Sequence, residues 1–117
     1  MPDWRSLIVE WNEFGILPRS WREELSRWRG VYFILDHSDG KGYVGAAYGP
    51  ENLYGRWLTY SKCGHGGNAK MKGRNPDDLR FSILQILPHD MNVDEVQQIE
   101  KSWKDRLHTR EFGLNGN

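Results

Sequence analysis

Several things are scarce in this chain of 117 residues, and each scarcity closes a route. Cys63 is the only cysteine, so neither an internal disulfide nor a thiolate-rich metal cage can form. The longest uninterrupted apolar run is Val31 to Leu35, far short of a membrane span. Asp3 and Glu10 stand where a signal peptide would want bases and an apolar stretch. A cytoplasmic, intracellular protein without membrane association is the plain inference. Net charge is also missing: 16 basic residues balance 16 acidic ones. The total therefore predicts no nucleic-acid partner. Internal repeats, low-complexity tracts and linkers are absent as well.

The distribution of charge says more than its sum. From Asn52 to Pro76 there is no Asp or Glu, whereas Arg56, Lys62, Lys70, Lys72 and Arg74 all fall in that span. A neutral total can hide a basic patch of the kind a phosphate backbone needs. Aromatic residues are plentiful, with six Trp, five Tyr and four Phe, enough for one core in one domain.

The most informative stretch runs from Gly30 to Gly45. An apolar β-prone run, an Asp39-Gly40 turn signal and a second β-prone run predict a hairpin. Closure over two residues, or over four from His37 to Gly40, pairs even-numbered with odd-numbered positions. Either way Tyr32 and Tyr43 project from the same face. Two phenols so placed are either a core pair or the floor of a site.

Upstream, Asp3 as N-cap and Trp4, Leu7, Ile8, Trp11 and Phe14 at helical spacing predict a short amphipathic helix ending at Gly15. Ser20 and Glu23 form a capping-box pattern for a second short helix with Trp21, Leu25 and Trp28 on its stripe. The tryptophans of this front end pin the helical pair to the core or sheet, or else offer a binding platform. Downstream, Pro50 and Glu51 open a helix running to about Ser61, with Leu53, Trp57 and Tyr60 as its apolar stripe. Arg56 lies beside that stripe, four residues from Tyr60. It is either a snorkelling side chain or part of a site.

Residues Cys63 to Pro76, glycine-rich, basic and acid-free, read as a mobile loop that either follows a phosphate backbone or only connects. His65 has no second histidine at metal-ligand spacing, so no zinc site is read. Leu79 to Leu87 reads as a central or well-covered third strand, with Phe81, Ile83 and Gln85 alternating against Ser82, Leu84 and Ile86. A last helix starts at Asn92, boxed by Glu95, and buries Val96, Ile99, Trp103 and Leu107. On it Glu100 projects within roughly 55° of the stripe's centre, closer to the core than Lys101, Lys104 or Asp105. A carboxylate there needs a cation, a metal or hydrogen-bond donors. Arg56 and Arg106 are the expected ion-pair partners, with a metal as the other option.

Gly30-Val31-Tyr32 followed by Tyr43-Val44-Gly45 resembles the paired signature of the GIY-YIG endonuclease family, with valine for isoleucine in both halves. The resemblance covers roughly Trp28 to Asn117 and not the first 27 residues. It divides the chain into a helical N-terminal extension, 1–28, packed on the domain, and a GIY-YIG-like nuclease domain, 29–117. It implies an α+β fold, a small three-stranded, mainly antiparallel sheet flanked by helices. It implies a catalytic set of Tyr32, Tyr43, Arg56, Tyr60, Glu100 and Asn115, in which Glu100 is the single metal ligand and Asn115 supports the site by hydrogen bonding. It also implies Mg²⁺ or Mn²⁺ as cofactor and DNA as partner. Where several relatives carry a lysine near the second triplet or before the helix arginine, this chain has Ala46 and Gly55. Help for Arg56 in lowering a phenol pKa would then come from Lys62, Lys70 or Lys72.

The expected activity is metal-dependent phosphodiester hydrolysis, with Tyr32 as general base, Tyr43 positioning phosphate or water, Arg56 neutralising charge and Tyr60 touching phosphate or water. Lys62, Lys70, Lys72 and Arg74 are the expected nucleic-acid contacts. The alternatives are a catalytically silent nucleic-acid-binding module on the same scaffold and an interaction domain using the tryptophan-rich front end. No base-reading element is evident. Sequence preference must come from the front helices, the basic loop, a homodimer or an additional DNA-recognition domain, and the end of the chain just after Asn115 leaves truncation open.

Overall fold

The structure, a computed structural model, describes residues 1–50 and 52–116. Its organising unit is the expected hairpin of β2 (Arg29–Asp36) and β3 (Lys41–Ala47). Asp36 pairs with Lys41, so the four-residue closure is the one used, and Gly40 supplies the positive φ of 78° that the turn requires. Tyr32 lies opposite Gly45 and Tyr43 opposite Ile34, which puts both phenols on one face.

The turn is tied down by charge. Asp36, almost fully buried, accepts from the Ser38 backbone N–H at 2.9 Å and hydroxyl at 2.6 Å. Arg74 Nη1 lies 2.8 Å from both Asp36 Oδ2 and Asp39 Oδ2. Burial alone would raise the Asp36 pKa, but the bonds from Ser38 and Arg74 outweigh it and hold the group below the usual carboxylate range.

The sheet has four strands in the order β1-β4-β2-β3, every neighbouring pair antiparallel, with β4 spanning Leu79–Leu87. The expected three strands are present and one more joins them. That fourth strand, β1 (Ile8–Glu10), replaces most of the expected first helix, and a 3-10 turn over Trp11–Ile16 follows it. The reason lies in Val9, which the helical stripe left out. Leu7 and Val9 are buried while Ile8 between them is 62% exposed, a period of two rather than 3.6. Glu10 pairs with Arg80 across the strands, with a 2.8 Å ion pair.

Helix α1 (Arg19–Arg27) is where the second helix was expected, but Pro18 and not Ser20 precedes it as cap. The Pro18 carbonyl accepts from the N–H groups of Trp21 and Arg22. Its end is fixed to the start of α2 (Asn52–Cys63), because Asn52 Nδ2 donates to Ser26 O and Leu53 N–H donates to Trp28 O. Glu51, part of the expected start of α2, lies outside the described residues. Leu53, Trp57 and Tyr60 are fully buried as the stripe required. Together with Tyr32, Ile34, Phe81, Ile83 and Leu25 they fill one face of the sheet, and Trp4, Trp11, Trp21 and Trp28 pack around them.

The other face carries Val31, Val44 and Leu87 under α3 (Val93–Leu107), which contributes Val96, Ile99 and Trp103. Asn92 caps α3 as expected, accepting from Glu95 N–H. Leu107 does not complete the stripe, being 40% exposed. Lys104 takes the buried place in that last turn.

Strand β4 serves both faces through a bulge opposite Val31 and Tyr32, where pairing jumps from Gln85 to Ile83. The expected alternation therefore holds only through Leu84. Leu84 packs on the α3 side, Gln85 accepts from Trp103 Nε1 there at 2.9 Å, and Ile86 returns to the face with Phe81. The bulge re-aims the strand next to Tyr32.

After α3 the chain turns at His108 (φ 56°) and comes back along the open edge of β3. Leu114 N–H donates to Gly42 O at 2.8 Å. Asn115, 1% exposed, accepts from Val44 N–H and donates to Val44 O, both at 2.9 Å. Its side-chain amide thus imitates a neighbouring strand. The Cys63–Pro76 connection has more structure than its composition suggested, with 3-10 turns at Ala69–Met71 and Pro76–Asp78 and Met71 fully buried.

Two outcomes follow. Asn115→Ala should cost about 2 kcal/mol, since it strands both polar groups of Val44, measurable as a lowered midpoint in chemical denaturation. Asp36 stabilises the fold above the unfolded carboxylate pKa of about 3.9, and that contribution is lost as pH falls through its lower folded value. Arg74→Gln, which removes a cause of the depression, should move the acid-unfolding midpoint to higher pH when followed by circular dichroism.

Candidate active site

A cavity of about 650 Å³ opens beside the end of β3. Tyr32, Tyr43, Arg56 and Glu100 line it together with the small residues Ala46, Ala47 and Gly55 and the rim residues Tyr48, Pro50 and Thr59. Glu100 belongs to the helix on the opposite face of the sheet from α2. It nevertheless borders the same cavity as Arg56, because β3 is the edge strand and its alanines leave the way round it open.

The glycines of the two sequence triplets have steric reasons. A side chain at Gly30 would meet Gln85 O at 2.8 Å, and one at Gly45 would overlap the ring and oxygen of Tyr32. Tyr32 is fully buried under Gly45 and packs edge-on to Trp57 and Tyr60, with ring centroids 6.3 Å and 6.2 Å away. Its oxygen lies 3.4 Å from that of Tyr60 and accepts from Arg56 Nε at 3.3 Å. The half-buried guanidinium also donates from Nη2 to Gly66 O at 3.2 Å and lies over the Tyr60 ring.

Burial pushes the Tyr32 phenol above its ordinary pKa, and nearby Tyr43 adds to the rise. Arg56 opposes both and does not win. Arg56 does favour the phenolate at Tyr32, as expected, but burial outweighs it and the net shift is upward. Tyr60 is raised by burial and then by the neighbouring tyrosines. It is fully buried behind Tyr32 and does not line the cavity, so the expected contact with phosphate or water gives way to a supporting position. Tyr43, half-buried, is the open member of the trio and borders two clefts.

Glu100 is paired with neither Arg56 nor Arg106. Its Oε2 lies 3.3 Å from Lys104 Nζ. The sequence placed Lys104 away from the core, yet it is 8% exposed. Its i,i+4 spacing from Glu100 was the available signal. Asn115 does not line the cavity but fixes Val44, the residue after Tyr43.

The expected basic contacts divide. Lys62 and Lys72 are exposed, and Lys70, also exposed, reaches Arg110 O at 3.5 Å. Arg74 is committed to Asp36 and Asp39 and belongs to the hairpin, not to a phosphate track. A second cleft of about 320 Å³, lined by Gly66, Gly67, Asn68 and Ala69, adjoins the first through Tyr43 and Arg56.

Among the described residues no three His, Cys, Asp or Glu side chains come together as a metal cage. Among the described residues the donor set at the cavity is one carboxylate, Glu100. That set fits a hard divalent ion of the Mg²⁺ type, which accepts one or two carboxylates and takes the rest of its shell from water and a phosphate.

The family model of the GIY-YIG catalytic domain matches residues 29–115, well over half of the chain. The chain belongs to the GIY-YIG family, a family of nucleases. No curated protein and no solved structure gives a significant match.

Gly45→Ala should force the Tyr32 ring from its slot and cost about 2 kcal/mol through overpacking. The check is a lowered melting temperature with a changed near-ultraviolet tyrosine and tryptophan signal.

Proposed function

We propose that this protein is a metal-dependent DNA endonuclease that hydrolyses a phosphodiester at the cavity beside β3. The observation that carries the reading is the convergence of Tyr32, Tyr43, Arg56 and Glu100, drawn from two strands and two helices, on one cavity. Each supplies something the reaction needs. The water oxygen attacks phosphorus, the bond to the 3′-oxygen breaks, and the water's proton must leave while negative charge builds on the phosphoryl oxygens.

Arg56 is the fixed cation for that charge. Its donors are already oriented by Tyr32 and Gly66, so little reorganisation accompanies the reaction. Tyr32, kept neutral by burial, orients Arg56 and offers a phenol at the cavity floor. Tyr43 is the better placed of the two to meet the attacking water, which revises the role expected for Tyr32. Glu100 would hold Mg²⁺ or Mn²⁺, and such an ion supplies positive charge to the scissile phosphate. Lys62, Lys70 and Lys72, exposed along the loop after α2, are suited to neighbouring phosphates.

The test is nicking of supercoiled plasmid DNA. Activity should require Mg²⁺ or Mn²⁺ and vanish with chelator. Glu100→Gln and Arg56→Ala should each lower kcat by about 10²-fold or more, and Tyr43→Phe should cost more than Tyr32→Phe. Full activity in chelator, or in Glu100→Gln, would overturn the reading.

A further inference from the structure

The cavity's carboxylate does not stand alone. Lys104 Nζ lies 3.3 Å from Glu100 Oε2, one helical turn along α3, with the glutamate first, the favourable order for such a pair. This pair differs in kind from its neighbour on the same helix. The side chains of Lys101 and Asp105 are 68% and 49% exposed, whereas those of Lys104 and Glu100 are 9% and 19% exposed. Water screens the first pair and largely fails to screen the second. Arg56, the other charged group that lines the cavity among the described residues, donates to Tyr32 and to Gly66 O and forms no ion pair with Glu100. Lys104 itself does not line the cavity, whereas the carboxylate it pairs with does.

We propose that Lys104 is a positioning residue, the resident counterion of Glu100, and that it sets the affinity of the site for a divalent cation; this rests on Glu100 being the metal ligand. The ammonium holds Oε2 and leaves the carboxylate turned to the cavity. A cation arriving there meets an already neutralised carboxylate and must bind against the field of a poorly screened positive charge. Intrinsic metal binding is therefore weak, and the negative phosphate of the substrate strengthens it.

The experiment measures Mn²⁺ binding to the full chain without DNA, by calorimetry and by the spin-resonance signal of free Mn²⁺. Lys104→Met should bind Mn²⁺ at least about tenfold more tightly than the parent, since a like charge has been removed at short range. Lys104→Arg, which keeps the charge, should stay within about threefold of it. Lys104→Gln serves as the second neutral variant if the methionine form does not fold, folding being judged by circular dichroism and melting. Equal or weaker binding in a folded neutral variant, with binding lost in Glu100→Gln, overturns the role of Lys104 alone. Binding that survives unchanged in Glu100→Gln overturns the metal reading and this inference with it.

Discussion

The outer edge of β3 is the constraint on which the site depends. An edge strand ordinarily presents unpaired backbone groups to water, and here the returning tail occupies them. Leu114 takes the carbonyl of Gly42, and the Asn115 amide takes both polar groups of Val44. Tyr43 precedes Val44, and the cavity walls Ala46 and Ala47 follow it. The placement of a half-buried phenol and of the opening through which Glu100 reaches the cavity therefore rests on contacts made by a residue about seventy positions away. Among the described residues these bonds end at Val44, and the cavity opens beside Ala46 and Ala47 just beyond them.

Charge works at short range throughout the molecule. With no net charge, organisation comes from pairing. Arg74 closes the hairpin turn against Asp36 and Asp39 at one end of β2 and β3, and Arg56, Glu100 and Lys104 gather at the other. The two groups have different physics. Arg74 is held by exposed and buried carboxylates and contributes to folding. Arg56 is held only by neutral oxygens and so keeps its charge available to an anion.

Much of this was legible in the residues. The hairpin, its face, the bounds of β4 and the start of α3 follow from local rules, since turn chemistry, a period of two and an Asn cap each act over a few positions. What was not legible depends on partners far along the chain. The period of two at Leu7 and Val9 is too short to decide for a strand by itself, and it becomes one because β4, about seventy positions on, offers it an edge. The burial of Tyr60 and the upward push on the Tyr32 phenol arise from packing among β2, α2 and the glycine loop. Arg74 looked like part of a basic track because the sequence shows its charge and not Asp36, 38 positions earlier. Lys104 lies away from the core by helical angle, yet a long side chain can be buried along its stem wherever a carboxylate waits for its end.

The bulge in β4 has a consequence for how the chain can change. Because Leu84 shifts the pleat by one step, Phe81 and Ile83 supply one core with Ile86 beyond the shift, while Gln85 and Leu87 supply the other. A strand of the same composition with regular pairing would turn its last third inside out, sending Gln85 toward the tyrosines and Ile86 toward Trp103. Length in this strand is thus as tightly constrained as chemistry. A single-residue insertion or deletion here would exchange the two faces beyond it, whereas a substitution that respects size would leave them in place.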